Sequence, residues 1–293
     1  MVGPPYDDRD GLIWVDGQLV PWRDARLHLL THALHYASSV FEGERAYEGE
    51  IFKLTEHTQR LHDSAQEMGF DIPWSVSEID DACREILTAN DIVDGYVRPI
   101  AWRGAETMGV SAQQNAIHLG IAAWPWPSYF SPEARNSGIK LKTSTWRRPA
   151  PDTAPVNAKA AGLYMICTMS KHEAEAEGFD DALMLDYRGH VAEATGANIF
   201  LVIDGKLHTP DPDCFLNGIT RRTVIDLAAA RGLDVVERVI MPEEVGDARE
   251  VFLTGTAAEV TPVGIIDDHR FQVGEVTRHM MSDYEALVRK SAI

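Results

Sequence analysis

The sequence predicts a mixed α/β protein of two domains with partly antiparallel sheets. Three observations predict it: a set of hairpin signals, stretches of helical periodicity scattered between them, and a proline-rich break near the middle. The hairpins are alternating runs that turn on residues tolerant of a left-handed backbone. They lie at 12–20 around Asp16-Gly17, at 45–54 around Glu48-Gly49, and at 199–208 around Asp204-Gly205. Helical spacing follows Thr55 (Leu61, Ala65, Met68) and Ser77 (Ile79, Cys83, Ile86, Leu87), and recurs over 163–177, 220–231 and 280–288. The break reads W-P-W-P-S-Y-F-S-P from Trp124 to Pro132, which excludes a regular helix or a central strand. It divides the chain into a smaller N-terminal domain (1–122), a connecting loop (123–136) and a larger C-terminal domain (137–293).

Charge narrows the function. With 27 basic and 45 acidic residues the formal charge is −18, which repels nucleic acid and anionic membranes. An anionic ligand therefore has to be held by local donors. The opening residues 1–17 lack a basic stretch followed by an apolar run, and no apolar segment is long enough to span a membrane. Cys83, Cys167 and Cys214 are far apart and odd in number, the pattern of reduced thiols in a cytoplasm rather than of disulfides or zinc. The 11 histidines form no ligand spacing, so no metal is expected.

Six of the seven lysines have structural accounts: Lys53, Lys140 and Lys142 on strands, Lys171 in a charged helical run, Lys206 in a turn, and Lys290 near the C-terminus. Lys159 stands in Pro155-Val-Asn-Ala-Lys-Ala-Ala-Gly-Leu-Tyr164, where no other side chain is charged. Apolar surroundings lower an amine's pKa, and a neutral amine is what attack on an aldehyde requires. A lysine snorkelling from a small-residue helix would have the same sequence. Two turns offer anion sites: Asn217-Gly-Ile-Thr-Arg-Arg-Thr223 opening a helix, and Gly255-Thr-Ala-Ala258 after an apolar strand. Arg60 lies one residue off the apolar stripe of its helix. Glu193, among small residues, is a carboxylate that needs a partner if buried.

A set of ordered blocks ties these residues together. They are His35-Tyr-Ala-Ser-Ser-Val-Phe-Glu-Gly43, Glu56-His-Thr-Gln-Arg-Leu61, Tyr96-Val-Arg-Pro99, Ala158-Lys-Ala-Ala-Gly162, Glu193-Ala-Thr-Gly-Ala-Asn198, Gly218-Ile-Thr-Arg221 and Gly255-Thr-Ala-Ala-Glu-Val-Thr-Pro262. Together, from about Gly11 to Ile266, they resemble the branched-chain amino acid aminotransferases, class-IV (fold-type IV) enzymes that use pyridoxal 5′-phosphate (PLP). The resemblance implies that Lys159 is the catalytic Schiff-base lysine and proton shuttle, and that Glu193 partners the pyridinium nitrogen. It implies Tyr164 on the phenolic oxygen, Arg60, Ile219, Thr220 and Thr256 on the phosphate, and Leu216 beneath the ring. Substrate would be bound by Tyr36, Phe41, Gly43, Tyr96, Arg98, Trp126, Tyr129 and Ala257, with Arg98 reaching the distal carboxylate of glutamate or 2-oxoglutarate.

Met108 and Val110 match a loop that a neighbouring subunit contributes, which implies a homodimer or higher homo-oligomer. The implied reaction moves amino groups between leucine, isoleucine or valine and 2-oxoglutarate. The same fold serves (R)-selective amine and D-amino acid transaminases, the alternative reading, and a non-catalytic PLP-binding protein is the rival outside enzymes. Tyr96-Val-Arg98 and Met108-Gly-Val110 fit the branched-chain group better. One position departs from the family pattern: Glu44 stands between Gly43 and Arg45, where an aliphatic residue is common. Its side chain either faces the pocket or pairs elsewhere.

Overall fold

Each Asp-Gly or Glu-Gly pair closes its hairpin with both residues at positive φ: 49° and 90° at Asp16-Gly17, 53° and 86° at Glu48-Gly49, and 49° and 76° at Asp204-Gly205. That is the twist that two-residue hairpins need. The computed structural model describes residues 4–126 and 132–289. Two compact units emerge: Met1–Pro127 with Ala158–Gly162, and Ser128–Asn157 with Leu163–Ile293. The fold is mixed α/β with largely antiparallel sheets, as the sequence predicts.

The first unit holds β1 (Leu12–Val15), β2 (Gln18–Pro21), α1 (His32–Tyr36), β3 (Ser39–Phe41), β4 (Glu44–Tyr47), β5 (Glu50–Ile51), α2 (Leu54–Glu67), α3 (Val76–Ala89), β6 (Gly95–Arg103) and β7 (Ile117–Pro125). Among the described residues its strands form one antiparallel sheet, ordered β2-β1-β7-β6-β4-β5 with β3 also on β6. One face of this sheet packs Val97, Ala101, Leu119 and Ile121 with Leu61 and Ala65 of α2 and Ile79, Cys83 and Ile86 of α3. Strand alternation then turns Tyr96 and Arg98 to the other face. Helix α3 starts at a capping box, Ser75 with Glu78, two residues before the expected start. Lys53 is not on a strand; it precedes α2 in a left-handed conformation at φ 53°.

The proline-rich break begins inside the sheet. Trp124 and Pro125 end β7 opposite Tyr96 and Gly95. Strand β1 pairs β7 only at Gly120 and Ile121, so this end of β7 is flanked on one side and a missing N–H is tolerated. Residues 127–131 lie outside the described chain.

The second unit holds α4 (Pro132–Ser137), β8 (Ile139–Arg148), α5 (Tyr164–Ala176), β9 (Asp181–Asp186), β10 (Val191–Ala194), β11 (Asn198–Ile203), β12 (Lys206–Pro210), α6 (Ile219–Ala230), β13 (Val235–Arg238), β14 (Glu250–Gly255), β15 (Glu259–Ile266), β16 (His269–Arg270) and α7 (Glu275–Val288). Its sheet runs β10-β9-β8-β15-β14-β11-β12-β13, and an added β10–β11 pairing closes part of it into a ring. The pairs β8–β9, β8–β15 and β12–β13 are parallel. Leu183, Leu185, Ile199, Leu201, Val251, Leu253 and Val263 share its core. No helix among the described residues is long and apolar enough to cross a membrane.

Candidate active site

In the first unit Lys159 is fixed through its backbone. Phe41 N–H donates to the Lys159 carbonyl at 3.1 Å, Lys159 N–H donates to Ser64 Oγ at 3.0 Å, and Val40 and Ala160 form an antiparallel bridge. The side chain lies with Nζ 5.0 Å from the centre of the Phe41 ring. Burial, and then the neighbouring Arg60 cation, lower the Lys159 amine to about 8, with Glu42 opposing them. The uncharged sequence neighbourhood therefore corresponds to a desolvated amine.

His57, Arg60 and Ser64 recur at helical spacing on α2 and so share a face. Ser64 serves Lys159, while His57 and Arg60 converge on Glu42, which is fully buried. Arg60 Nε donates to Glu42 Oε1 at 2.6 Å and Nη2 to Oε2 at 2.8 Å; His57 Nδ1 lies 2.7 Å from Oε2. Burial opposes charge on Glu42, yet Arg60 and His57 hold its carboxyl well below the usual range. The sequence singled out Arg60 but not the carboxylate that orients it, although Glu42 sits between the selected Phe41 and Gly43.

Glu44, two residues on, has the opposite character. It pairs with Val97 across β4–β6, so it shares that residue's core face rather than the face of Tyr96 and Arg98. Burial, reinforced by Glu42 and Asp80, pushes its carboxyl well above the usual range, with the Cys83 thiol beside it. The departure from the family pattern lies behind the sheet.

Of the expected substrate residues of this unit, Phe41, Gly43, Arg98 and Trp126 gather around Tyr96. Arg98 Nη2 donates to the Tyr96 hydroxyl at 3.2 Å, and its guanidinium carbon stands 4.7 Å from the Phe41 ring centre. Trp124 and Trp126 pack on Tyr96 with centres 5.2 and 5.5 Å away. Gly43 is dictated by this arrangement, since a Cβ there would stand 1.8 Å from the Tyr96 hydroxyl. Tyr36 is exposed and stacks on His32 at 4.6 Å; His32 Nε2 lies 2.8 Å from the carbonyl of Gly109, between the exposed Met108 and Val110. Tyr129 lies outside the described residues.

The second unit contains Tyr164, Glu193, Leu216, Ile219, Thr220, Thr256 and Ala257. Glu193 Oε1 is 3.4 Å from Nε of the buried Arg148, and its Oε2 accepts from Asn198 Nδ2 at 3.2 Å. Burial opposes charge on Arg148, but Glu193 and then Cys167 and Tyr164 raise its pKa; burial pushes the Cys167 thiol up to about 11. Asn198 also donates to the Leu216 carbonyl at 3.0 Å and accepts from Gly218 N–H at 3.2 Å.

Gly218 is the N-cap of α6, and no side chain caps that helix. The first turn, with buried Ile219 and Thr220, thus keeps its amides for an anion. Fully buried Arg221 braces it, donating to Thr209 Oγ1, Asn217 Oδ1, the Pro210 carbonyl and Glu237. Thr256 and Ala257 lie in the β14–β15 turn, where Gly255 pairs Glu259. Asp186, Asp213 and Cys214 also bring ligand atoms within 4.8 Å of one another, but Arg188 Nη2 donates to Asp213 and ion-pairs with Asp186. Arg188 thus already pairs both carboxylates.

His57, Arg148, Asn198 and Arg221 escaped the sequence reading because each acts through a partner distant in the chain. His57, Asn198 and Arg221 carried a signal only as members of the Glu56, Glu193 and Gly218 blocks, and Arg148 carried none. The donor set suits PLP: a desolvated primary amine, a carboxylate held by a cation and an amide, and a helix start without a side-chain cap.

Known proteins resemble the chain along most of its length. The family model described as Amino-transferase class IV matches residues 39–266. A branched-chain-amino-acid aminotransferase of Pseudomonas aeruginosa is 45% identical over 96% of this chain and 94% of its own length. The crystal structure of the Escherichia coli branched-chain amino acid aminotransferase superposes with a TM-score of 0.93 at 38% identity, covering 97% of each chain. That of the T.th. branched-chain amino acid aminotransferase with pyridoxamine 5′-phosphate gives 0.93 at 39% identity, covering 97% of this chain and 96% of that one. The T.th. enzyme has also been solved complexed with N-(5′-phosphopyridoxyl)-L-glutamate.

Proposed function

The chain belongs to the class IV aminotransferases, which are PLP-dependent, and from that premise we propose that it is a branched-chain amino acid aminotransferase. It exchanges amino groups between leucine, isoleucine or valine and 2-oxoglutarate. The observation that carries the reading is Lys159, an amine lowered to about 8 beside Phe41 and Arg60. The donors named for the relatives, and the L-glutamate moiety bound by the T.th. enzyme, support the substrate pair over D-amino acids or (R)-amines.

When bound, PLP supplies an aldehyde for the amino group and a ring that takes up the electron pair released at the α-carbon. Lys159 Nζ, neutral in a useful fraction near pH 7–8, would accept the α-proton and return it two atoms along, on the carbon beyond the amino nitrogen. The Glu193 carboxylate, held by Arg148 and Asn198, keeps a proton on the ring nitrogen. Tyr164 donates to the phenolic oxygen, and Leu216 packs beneath the ring. Arg60, the Ile219 and Thr220 amides and Thr256 hold the phosphate. The Tyr96 hydroxyl and the Thr256–Ala257 turn bind the α-carboxylate, and Arg98 meets the distal carboxylate by a charge-assisted contact. Phe41, Tyr36 and Trp126 line the side-chain pocket.

The protein acts as a homodimer or higher homo-oligomer in the cytoplasm. Exposed Leu27, Leu29, Leu30 and Leu34, beside an apolar hollow of about 560 Å³, support self-association. Three buried free thiols support a reducing compartment. Initial rates with L-leucine, D-alanine and (R)-1-phenylethylamine, each with 2-oxoglutarate, test the proposal. Turnover of L-leucine is expected, and its absence in PLP-loaded protein would overturn the reading.

A further inference from the structure

We infer that Asn198 is a positioning residue that sets the spacing between the two ends of the cofactor's cradle in the second unit; this rests on the function proposed above. One end is the Glu193 carboxylate and the other is the start of α6. Asn198 is the first residue of β11, paired with Glu193 on one side and Thr254 on the other, and it is 5% exposed. Its Nδ2 has two hydrogens and two acceptors, Glu193 Oε2 at 3.2 Å and the Leu216 carbonyl at 3.0 Å. Its Oδ1 accepts the Gly218 N–H at 3.2 Å. A single planar amide thus joins the carboxylate to the turn that opens the helix.

The turn is built for this closeness. A Cβ on Gly218 would stand 2.3 Å from Asn198 Oδ1, so any other residue would drive turn and amide apart. The amide chemistry is equally restricted. Aspartate has the same shape but no hydrogens to donate, and its charge would lie beside the Glu193 carboxylate, where like charges repel. Serine or threonine can donate only one proton. A rigid ligand gripped at both ends gains from the second grip only if the spacing already matches, so a bridge between the two grips acts on the whole ligand more than on either part.

That distinction supplies the test. Stripped wild-type protein and the Asn198→Ala and Asn198→Asp variants are titrated with PLP, with pyridoxal and with inorganic phosphate, following tryptophan fluorescence. Thermal unfolding is recorded on the same samples. Asn198→Ala is expected to weaken PLP by about tenfold or more, the worth of one or two such hydrogen bonds, while pyridoxal and phosphate stay within about twofold. In Asn198→Asp the loss should deepen between about pH 6 and pH 8.5 as the new carboxyl ionises, whereas the alanine variant keeps a constant ratio to wild type.

Equal weakening of all three ligands would overturn the spacer role, as would PLP binding within about twofold of wild type in both variants. Failure of both variants to fold would overturn it too, because the residue would then serve the fold. If the aspartate variant alone fails to fold, the alanine variant decides. Wild-type protein that neither binds PLP nor transaminates would instead sink the functional reading.

Discussion

The Glu42 carboxylate grips Arg60 with both oxygens, at 2.6 Å to Nε and 2.8 Å to Nη2, while His57 reaches the same carboxylate from one turn back along α2. Glu42 is fully buried and Arg60 part-buried, and the pair stands beside Lys159. Removing one partner of such a pair leaves a desolvated charge. Glu42→Gln is therefore expected to destabilise by about 3–5 kcal/mol at neutral pH. The pH dependence has a definite sign. Glu42 has a lowered folded pKa, so its stabilisation is complete above the unfolded value and is lost as pH falls through the folded one. Wild type should lose stability in acid more steeply than the glutamine variant in urea unfolding, and equal acid slopes would contradict this.

Glu44 predicts the reverse. Its folded pKa is raised, so the folded state favours the protonated form. Stability from this group is full below the unfolded value of about 4.3 and declines as pH rises toward the folded value. Glu44→Leu, which extends the face of Ala46 and Val97, should stabilise by about 1–2 kcal/mol near pH 8 and by less at pH 4.5. Its effect on the KM for L-leucine should be small, because the side chain lies behind the sheet. An advantage over wild type that does not grow with pH would contradict the assignment.

Lys159 should be the most readily acylated lysine at mild pH. With its amine at about 8, labelling by an amine-selective reagent on stripped protein should rise with a midpoint near that value. Peptide mapping by mass reads the position. Arg60→Gln should move the Lys159 midpoint upward, since Arg60 is among the groups that lower it. A downward move would show that the cation does not act on the amine. Lys159→Ala should cut transamination by at least about 10²–10⁴-fold.

Gly43 tests the wall around Tyr96. A Cβ there would meet the Tyr96 hydroxyl at 1.8 Å and Cζ at 2.8 Å. Gly43→Ala should cost about 1–3 kcal/mol through overpacking and raise the KM for 2-oxoglutarate by detaching Tyr96 from Arg98. Adding Tyr96→Phe should recover part of the stability but not the KM. Stability effects that simply add across the double-mutant cycle would refute the contact.

How much was legible in the sequence follows the range over which each feature is determined. Hairpins at Asp16-Gly17, Glu48-Gly49 and Asp204-Gly205 are local, and their turns stand as read, although the second strand of the 45–54 hairpin ends at Ile51. The helices are local too, to within a few residues. Lys159 and the Gly218 turn were visible because small, uncharged or glycine-rich surroundings are written into neighbouring positions. Glu42, Arg148 and Arg221 were not, because deciding partners lie elsewhere in the chain: Arg60 is 18 residues from Glu42, Glu193 is 45 from Arg148 and Thr209 is 12 from Arg221. The parallel pairings β8–β9 and β8–β15 were missed for the same reason. The facing of Glu44 was undecidable until its register with Val97 was known.

The five residues 158–162 belong to the first unit although the residues on either side belong to the second. For a chain made from its N-terminus this imposes an order of events. When Pro127 has left the ribosome every strand of the first sheet exists, yet the edge at Val40 still lacks Ala160, and Ser64 still lacks the Lys159 amide. The N-terminal unit can be completed only after more than thirty further residues have been synthesised, so its last piece and its reactive amine arrive together. A polypeptide truncated before residue 158 would therefore lack both the Val40–Ala160 bridge and the Lys159 amine.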